Sequence, residues 1–233
     1  IALVNKKLLY LTKNEIIGGF ICGFFLFVGY SFQNFGLMHT TVSKSAFITS
    51  VSVLLVPILL VVFNLQKVKP KIWIAVLIAT LGLYLLILPG GDGPNLGDLL
   101  TTGCALGFAL HIIVQDFYIK KEIRLIPFFC VQSGFVTLFS FVNAQLFESS
   151  VIIWSHHLFV AIIITGVLAT FAAFILMIWA QKILNPSETA LIFSVEPLAA
   201  AMFATVFGGE ILGLWGWIGG GLVCLAVVFG KSG

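Results

Sequence analysis

Long apolar runs separated by short polar breaks form the pattern of this chain. A helix that crosses about 30 Å of hydrocarbon needs about 20 apolar residues, and over such runs only a helix satisfies its own backbone polar groups. The pattern therefore predicts an all-α, polytopic helical membrane protein. We predict eight membrane-spanning helices, at 16–38, 43–63, 71–89, 97–118, 125–146, 155–180, 187–207 and 212–230.

The composition agrees with this pattern, because hydrophobic residues make up 60% of the chain and charged residues only 9%. Soluble domains carry about 25% charged residues. The lipid bilayer is therefore a predicted partner, and the net charge of +3 gives no reason to expect a nucleic acid. The four cysteines lie inside apolar runs without CxxC spacing, so we predict neither a metal nor a cofactor and interpret them as small buried residues.

The distribution of Lys and Arg fixes the predicted orientation, because cytoplasmic loops carry an excess of both. If the segment before the first span is cytoplasmic, eleven of the twelve Lys and Arg residues fall inside and only Lys44 falls outside. Asp92, Asp98, Glu148 and Glu210 then lie on the outer side. We predict a multi-pass protein of the cell (inner) membrane, with both visible ends in the cytoplasm.

The chain also resembles itself at an offset of 144 residues. Residues 43–63 align with 187–207, where Ser50 meets Ser194 and "VF" ends both segments. The two copies start on opposite sides of the membrane, as they must when each unit has an odd number of spans. Inverted repeats are typical of secondary transporters. The alternative is a chance similarity between two apolar helices.

The most specific segments resemble the EamA domain of the drug/metabolite transporter superfamily. They are "GDLLTTGCALGFALHIIVQDFYIKK" at 97–121, "ILNPSETALIFSVEPLAAAMFATVFGGEILGLWGWIGGGLVCLAVV" at 183–228, and the earlier "FGLMHTTVSKSAFITSVSVLLVPILL". The resemblance implies a permease of small metabolites, such as amino acids or related solutes, built from ten spans in two inverted five-helix repeats.

The resemblance also implies a domain organisation. Residues 1–90 would be the C-terminal part of the first EamA repeat, with three spans, and 97–230 the second repeat, with five. Residues 91–96 would link them outside the cytoplasm. Two spans of the family pattern are absent, so we expect the chain to be a fragment of a longer protein. If this were the natural length, the missing helices would leave the cavity wall incomplete.

The segment "SVEPLAA" carries the first candidate residues, Glu196 and Pro197. An ionised carboxylate near the middle of a membrane costs at least about 2.5 kcal/mol, so Glu196 predicts proton coupling, cation binding or a structural hydrogen bond between helices. Pro197 removes a backbone hydrogen bond to the Phe193 carbonyl and predicts a helix bend. Its counterpart Pro57 aligns one turn later, so we expect the two repeats to bend at different depths.

Other polar residues within the spans are candidates for binding the substrate or the coupling ion, and each has a packing role as its alternative. They are His111, Gln115, Gln33, Asn34, Ser50 and Ser194. His111 and Gln115 are four residues apart and share a helix face, and a relay between His111 and Glu196 stays open. The two serines could instead hydrogen-bond to their own helices.

Several further polar residues have more ordinary interpretations. We expect Asp116 to reach water or Lys120, and Gln132 to join helices. Lys44 either attracts anionic substrates or extends to the interface, as lysines near span ends commonly do. Glycine pairs with small-xxx-small spacing predict close helix packing. They are Gly19/Gly23, Gly103/Gly107 and Gly216/Gly220.

These observations favour a carrier that works by alternating access around a midplane cavity between the inverted units, with a small-molecule solute as its partner. Proton coupling and a homodimeric assembly stay open. The alternatives are a non-transporting multi-pass protein, a channel or an intramembrane enzyme. A channel would want a repeated polar stripe. No GxSxG, HExxH or paired carboxylates within one span appear, so we predict no enzyme.

Overall fold

The computed structural model describes residues 10–87, 95–147, 154–207 and 213–231, and every regular element within these ranges is a helix. The α-helices are α1 (Lys13–Leu37), α2 (Val42–Ser50), α3 (Ser52–Val62), α4 (Pro70–Ile87), α5 (Leu96–Ile119), α6 (Leu125–Phe147), α7 (His156–Ile163), α8 (Ala173–Ala180), α9 (Pro186–Phe193), α10 (Val195–Phe207) and α11 (Leu214–Lys231). A π-helix, Ile164–Ala172, joins α7 to α8. Lys6, Lys7, Asp92, Glu148, Gly209 and Glu210, and linker residues 91–94, lie outside the described residues.

Five helical segments in the described ranges are long and apolar enough to cross a membrane. They are Lys13–Leu37, Lys44–Val62, Leu96–Ile119, Leu125–Phe147 and His156–Ala180, and two shorter apolar helices lie at Pro70–Leu85 and Leu214–Gly230. The prediction of a polytopic helical membrane protein is confirmed. The seventh predicted span, 187–207, consists of α9 and α10, which have 8 and 13 residues, so no uninterrupted helix of membrane length covers it.

The helix bounds follow the offset of 144 residues seen in the sequence. α4 begins at Pro70 and α11 at Leu214, and both are 18 residues long. The caps agree as well. The Thr41 hydroxyl accepts a hydrogen bond from the Lys44 N–H at 3.3 Å, and the Asn185 side chain accepts one from the Glu188 N–H at 2.9 Å. The repeat therefore extends from residue identity to the positions at which helices start.

The chain divides into two compact units, of which the first comprises Ile1–Phe27 and Val114–Leu184. Its core is a cluster of apolar and aromatic side chains: Cys22, Tyr118, Ile119, Ile123, Phe128, Phe129 and Ile178. A Cβ built on Gly19 would lie 2.6 Å from the Val131 side chain, and one on Gly23 would lie 2.8 Å from the Gln132 carbonyl oxygen. This glycine pair therefore allows the close packing that its spacing predicted, and Gln132 itself is buried.

A buried carboxylate fixes the start of α1 in this unit. Glu15 is 0% exposed, and the Arg124 side chain donates to it from Nε at 2.8 Å and from Nη2 at 2.7 Å. The backbone N–H of Thr12 also donates to Glu15, at 2.8 Å, while the Thr12 hydroxyl accepts from the Glu15 N–H at 3.2 Å. This reciprocal pair is a capping box. The Glu15 carboxylate raises the pKa of the Arg124 guanidinium through their hydrogen bond.

The π-helix within the sixth predicted span was not apparent from the sequence. Its nine residues are apolar apart from Thr165 and Thr170, and none of them is buried by the described protein. Packing in the core of the described protein therefore does not account for the apolar character of this segment, which is compatible with the interior of a membrane.

The second unit comprises Val28–Ile113 and Asn185–Gly233, and α4 and α11 pack together in its core. A Cβ built on Gly82 would lie 2.7 Å from the Gly219 carbonyl oxygen, and one on Gly230 would lie 3.3 Å from the Ala75 Cβ. Ala75, early in α4, therefore lies beside Gly230, late in α11, while Gly82 lies beside the earlier Gly219. The two repeat-equivalent helices are antiparallel, as an inverted repeat requires.

We predict that Gly82→Ala destabilises the second unit. The new Cβ would meet a backbone oxygen, which cannot move without shifting a helix, and overpacking of this kind costs about 1–3 kcal/mol. Gly221→Ala is the matched control, because no atom lies within 4 Å of a Cβ at that position of α11. Thermal unfolding in detergent, followed by size-exclusion chromatography, measures the difference. Equal melting temperatures for the two variants would contradict the packing described here.

We also predict that Glu15→Ala lowers the melting temperature more than Lys120→Ala does. Glu15 is a buried acceptor of several hydrogen bonds, whereas the Lys120 side chain is 58% exposed and contacts the buried Asp116 carboxylate from the protein surface. The same unfolding assay tests this ranking. A larger loss for Lys120→Ala would show that the Glu15 contacts do not stabilise the unit.

Candidate functional site

Two helices of the second unit are interrupted at nearly the same place in the repeat. α2 ends at Ser50 and α3 begins at Ser52, while α9 ends at Phe193 and α10 begins at Val195. Val51 and Ser194, which stand at the interruptions, have ψ angles of −16° and −14°. The chain thus stays in the right-handed region but tightens locally.

Hydrogen bonds around the interruptions show how the backbone is satisfied there. The Val51 N–H is shared between the carbonyls of Phe47 at 3.2 Å and Ile48 at 3.1 Å, and the Ser194 N–H reaches Leu191 at 3.2 Å. At Val51 a three-residue contact is thus added to the regular four-residue bond, and at Ser194 the backbone makes a three-residue contact.

The candidate serines take part in the same arrangement. The Ser50 hydroxyl donates to the Ala46 carbonyl at 2.7 Å, and the Ser194 hydroxyl donates to the Leu191 carbonyl at 2.6 Å. Both serines therefore make the local bond to their own helix that the sequence left as the alternative to substrate binding. Ser194 is buried and Ser50 half-buried.

The prolines stand in different positions relative to the interruptions. Pro197 is the third residue of α10, within the first turn, where backbone N–H groups have no partner inside the helix. Pro57 is buried inside α3, six residues after Val51, and the helix continues through it to Val62. The two interruptions lie one aligned position apart, whereas the two prolines lie one helical turn apart in the alignment. The expectation that the repeats bend at different depths stays a prediction.

The two interrupted helices pack against each other in a crossed order. α3 contacts α9, and α2 contacts α10, so the first half of each helix meets the second half of the other. This pairing is antiparallel and brings the two interruptions to the same level of the second unit. Half-helix ends meet there, with partial positive charge at the N-termini of α3 and α10 and partial negative charge at the C-termini of α2 and α9.

Glu196 lies immediately after the second interruption, as the second residue of α10. Its side chain is exposed, and a carboxylate in the first turn of a helix is stabilised by the helix dipole. Tyr30 of α1 is near enough to interact electrostatically with Glu196, and the Tyr30 ring packs edge-on against Phe108 at a centroid distance of 5.4 Å. A carboxylate beside a phenol can accept a proton or bind a cationic group.

Tyr30, Thr49 and Cys104 were not selected from the sequence as site residues. The Thr49 hydroxyl lies 3.7 Å from the Cys104 sulfur, and Cys104 also interacts electrostatically with Tyr30. The sequence contains a signal for two of them. Thr49 adjoins the repeated serine Ser50, and Cys104 stands on the same helical face as Phe108 and His111.

Of the remaining candidates, Gln115 has a partner that the sequence did not indicate. Its Nε2 donates to the Gln181 Oε1 at 2.7 Å, within the first unit, and both side chains are buried. His111 belongs to the second unit and is 2% exposed. Gln33 is half-buried and Asn34 exposed on α1. The relay from His111 to Glu196 stays a prediction.

A polar cluster at the starts of α2 and α5 gives Lys44 a buried position. The Lys44 ammonium lies 3.7 Å from the Asp98 carboxylate, whose other oxygen accepts from the Thr40 hydroxyl at 2.5 Å. Lys44 is 8% exposed, so the interpretation of an interfacial lysine reaching outward is wrong; its nearby carboxylate provides a reason to remain inside. The Asp116 carboxylate meets Lys120 at 2.6 Å, as expected.

The cysteines differ in part from their interpretation as small buried residues. Cys22 and Cys104 are buried, as expected, but Cys130 and Cys224 are exposed. Among the described residues, no group of three or more His, Cys, Asp or Glu side chains is arranged to hold a metal ion.

Comparisons with known proteins identify the family of the chain. The model of the EamA-like transporter family matches residues 1–88 and 95–230. A protein of Archaeoglobus fulgidus named "Uncharacterized transporter" is 32% identical over 213 residues, covering 90% of this chain and 67% of the relative.

A solved crystal structure superimposes with a TM-score of 0.80 at 16% identity, covering 97% of this chain and 78% of that one, which supports the fold alone. Since the family model covers nearly the whole sequence, the chain belongs to the EamA-like transporter family of multi-pass membrane proteins.

Proposed function

We propose that this transporter is a secondary-active carrier of small metabolites, such as amino acids or related solutes, and that it works by alternating access. The observation that carries the proposal is the antiparallel pair of interrupted helices, whose interruptions lie at one level. Interrupted helices in inverted repeats commonly form substrate and ion sites near the membrane midplane, because their ends expose backbone charge where a continuous helix would not.

The chemistry of the interruptions favours a solute that carries both signs of charge. The N-termini of α3 and α10 offer partial positive charge to a carboxylate. Glu196 and the C-terminal carbonyls of α2 and α9 offer negative charge to an ammonium group. An α-amino acid has both groups within a few bonds and therefore suits such a site. The exposed position of Glu196 in the described protein also suits a group that must exchange a proton or a ligand.

The proposed organisation follows the sequence. Residues 1–90 supply three spans of the first repeat and 97–230 the five spans of the second. The lysine bias supports a cell (inner) membrane location with both visible ends in the cytoplasm. Glu196 is proposed as the group that couples transport to protons, since it is an ionisable residue at the start of a half-helix.

Transport by the intact gene product tests the proposal. The purified protein is reconstituted into liposomes, and counterflow of each radiolabelled amino acid is measured with the unlabelled solute trapped inside. We expect accumulation of at least one amino acid, driven without ATP and increased by a pH gradient. Protease protection of the reconstituted protein serves as the control that it is inserted correctly. If the inserted protein moves no amino acid, the proposed substrate class is wrong.

We predict that Glu196→Gln keeps counterflow measurable but removes its dependence on the pH gradient, because glutamine retains the shape and hydrogen bonding of the side chain but does not titrate. Glu122→Gln is the control, since Glu122 is an exposed carboxylate in the connection between α5 and α6. Uptake at several imposed pH gradients measures the effect. A pH dependence equal to that of the unmodified protein would assign Glu196 to packing.

We further predict that Pro197→Ala slows transport without lowering the yield of inserted protein. Alanine supplies the N–H that proline lacks, and this N–H can bond to the Phe193 carbonyl and extend the helical ladder across the interruption. Pro57→Ala is the matched control, because α3 is already continuous at that position. Initial rates of counterflow compare the two. If Pro197→Ala transports at the normal rate, the interruption does not depend on proline for its function.

A further inference from the structure

A small cavity lies in the second unit beside the connection between α3 and α4, away from the interruptions. Its volume is about 80 Å³, well above the 10–15 Å³ that one water molecule requires. The connection contributes one wall and the start of α9 the other. Its polar lining comprises Gln66, Lys67, Lys69, Lys71, Asn185, Ser187 and Glu188.

The charge of this lining is predominantly positive. Three lysines face one carboxylate, that of Glu188. Glu188 is held in the capping box of α9, where its Oε2 accepts from the Asn185 N–H at 3.0 Å. The carboxylate is thus fixed by its own helix, and the lining as a whole, with three lysines and one glutamate, has a positive formal charge. The nearby start of α4, at Pro70, adds the partial charge of a helix N-terminus.

An apolar surface adjoins the lysines directly. Val62, Phe63 and Leu65 at the end of α3 are 64%, 57% and 57% exposed, and Gln66 follows them into the cavity wall. On the other side, the Lys71 ammonium lies over the Phe229 ring at 5.1 Å. Cationic groups and an exposed apolar surface therefore stand side by side, a combination that suits an amphiphile better than a free ion.

We propose that this cavity binds the phosphate of an anionic phospholipid, whose acyl chains lie along the exposed end of α3. The lysine bias places this end in the cytoplasmic leaflet, where anionic lipids attract clustered lysines. The lipid would link the α3–α4 connection to the start of α9, the half-helix that precedes the second interruption. The proposal does not depend on the identity of the transported solute.

Native mass spectrometry of the full-length protein in an uncharged detergent tests the site. The probes are phosphatidylglycerol, phosphatidylcholine and inorganic phosphate. We expect the protein to retain phosphatidylglycerol in preference to phosphatidylcholine, and excess inorganic phosphate to displace little of it. Lys67→Gln should weaken phosphatidylglycerol binding about fivefold, and Lys67→Gln with Lys69→Gln about 25-fold, since each lysine near anionic lipid contributes about one such factor.

Two further variants keep the test specific. Lys13→Gln removes an exposed lysine on the same predicted side but outside the cavity, and should leave binding unchanged. Glu188→Gln should strengthen binding, because glutamine preserves the capping box without the negative charge. Equal retention of the two lipids, or an equal loss with Lys13→Gln, would overturn the proposal. Displacement of lipid by inorganic phosphate at similar concentration would make the cavity a site for soluble anions instead.

Discussion

The need to satisfy every backbone polar group away from water governs this structure. In hydrocarbon an unpaired N–H or carbonyl costs several kcal/mol, so a chain of this composition has to be helical almost throughout. At the interruptions between α2 and α3 and between α9 and α10, the backbone polar groups are satisfied by a different set of hydrogen bonds. At both of them a serine hydroxyl donates to a carbonyl of its own helix, and the backbone N–H at the interruption makes a three-residue contact. Polar backbone is therefore presented at one level of the second unit while its hydrogen bonds remain largely made.

Much of the fold could be predicted because its cause is local. Apolar runs of membrane length fix the helices, and the offset of 144 residues anticipates matching caps at Thr41 and Asn185. The interruption at Val51 could not be predicted from Pro57, because a proline buried inside a helix can be accommodated by packing, whereas a shift in ψ leaves no mark in residue identity. The π-helix could not be predicted for the same reason, because its apolar sequence is compatible with an α-helix as well as with a π-helix.

The candidate site was predictable only in part. Glu196 could be selected because an ionisable residue in an apolar run is costly wherever it lies. Tyr30, Thr49 and Cys104 belong to three different helices, and their proximity depends on tertiary packing that one sequence does not specify. Lys44 illustrates the converse. Its charge suggested the interface, but the carboxylate of Asp98, more than fifty residues away in sequence, keeps it inside.

The antiparallel contact of α4 with α11 has a consequence for how such a protein can change. Because these helices are equivalent in the repeat and touch through glycine and small residues, each forms the surface to which the other is fitted. If a substitution enlarges a side chain of one helix at this contact, a smaller side chain is needed at the facing position of the other helix. The two halves can therefore diverge freely at the interruptions and on their lipid-facing sides, but along this seam they are constrained to vary as a pair.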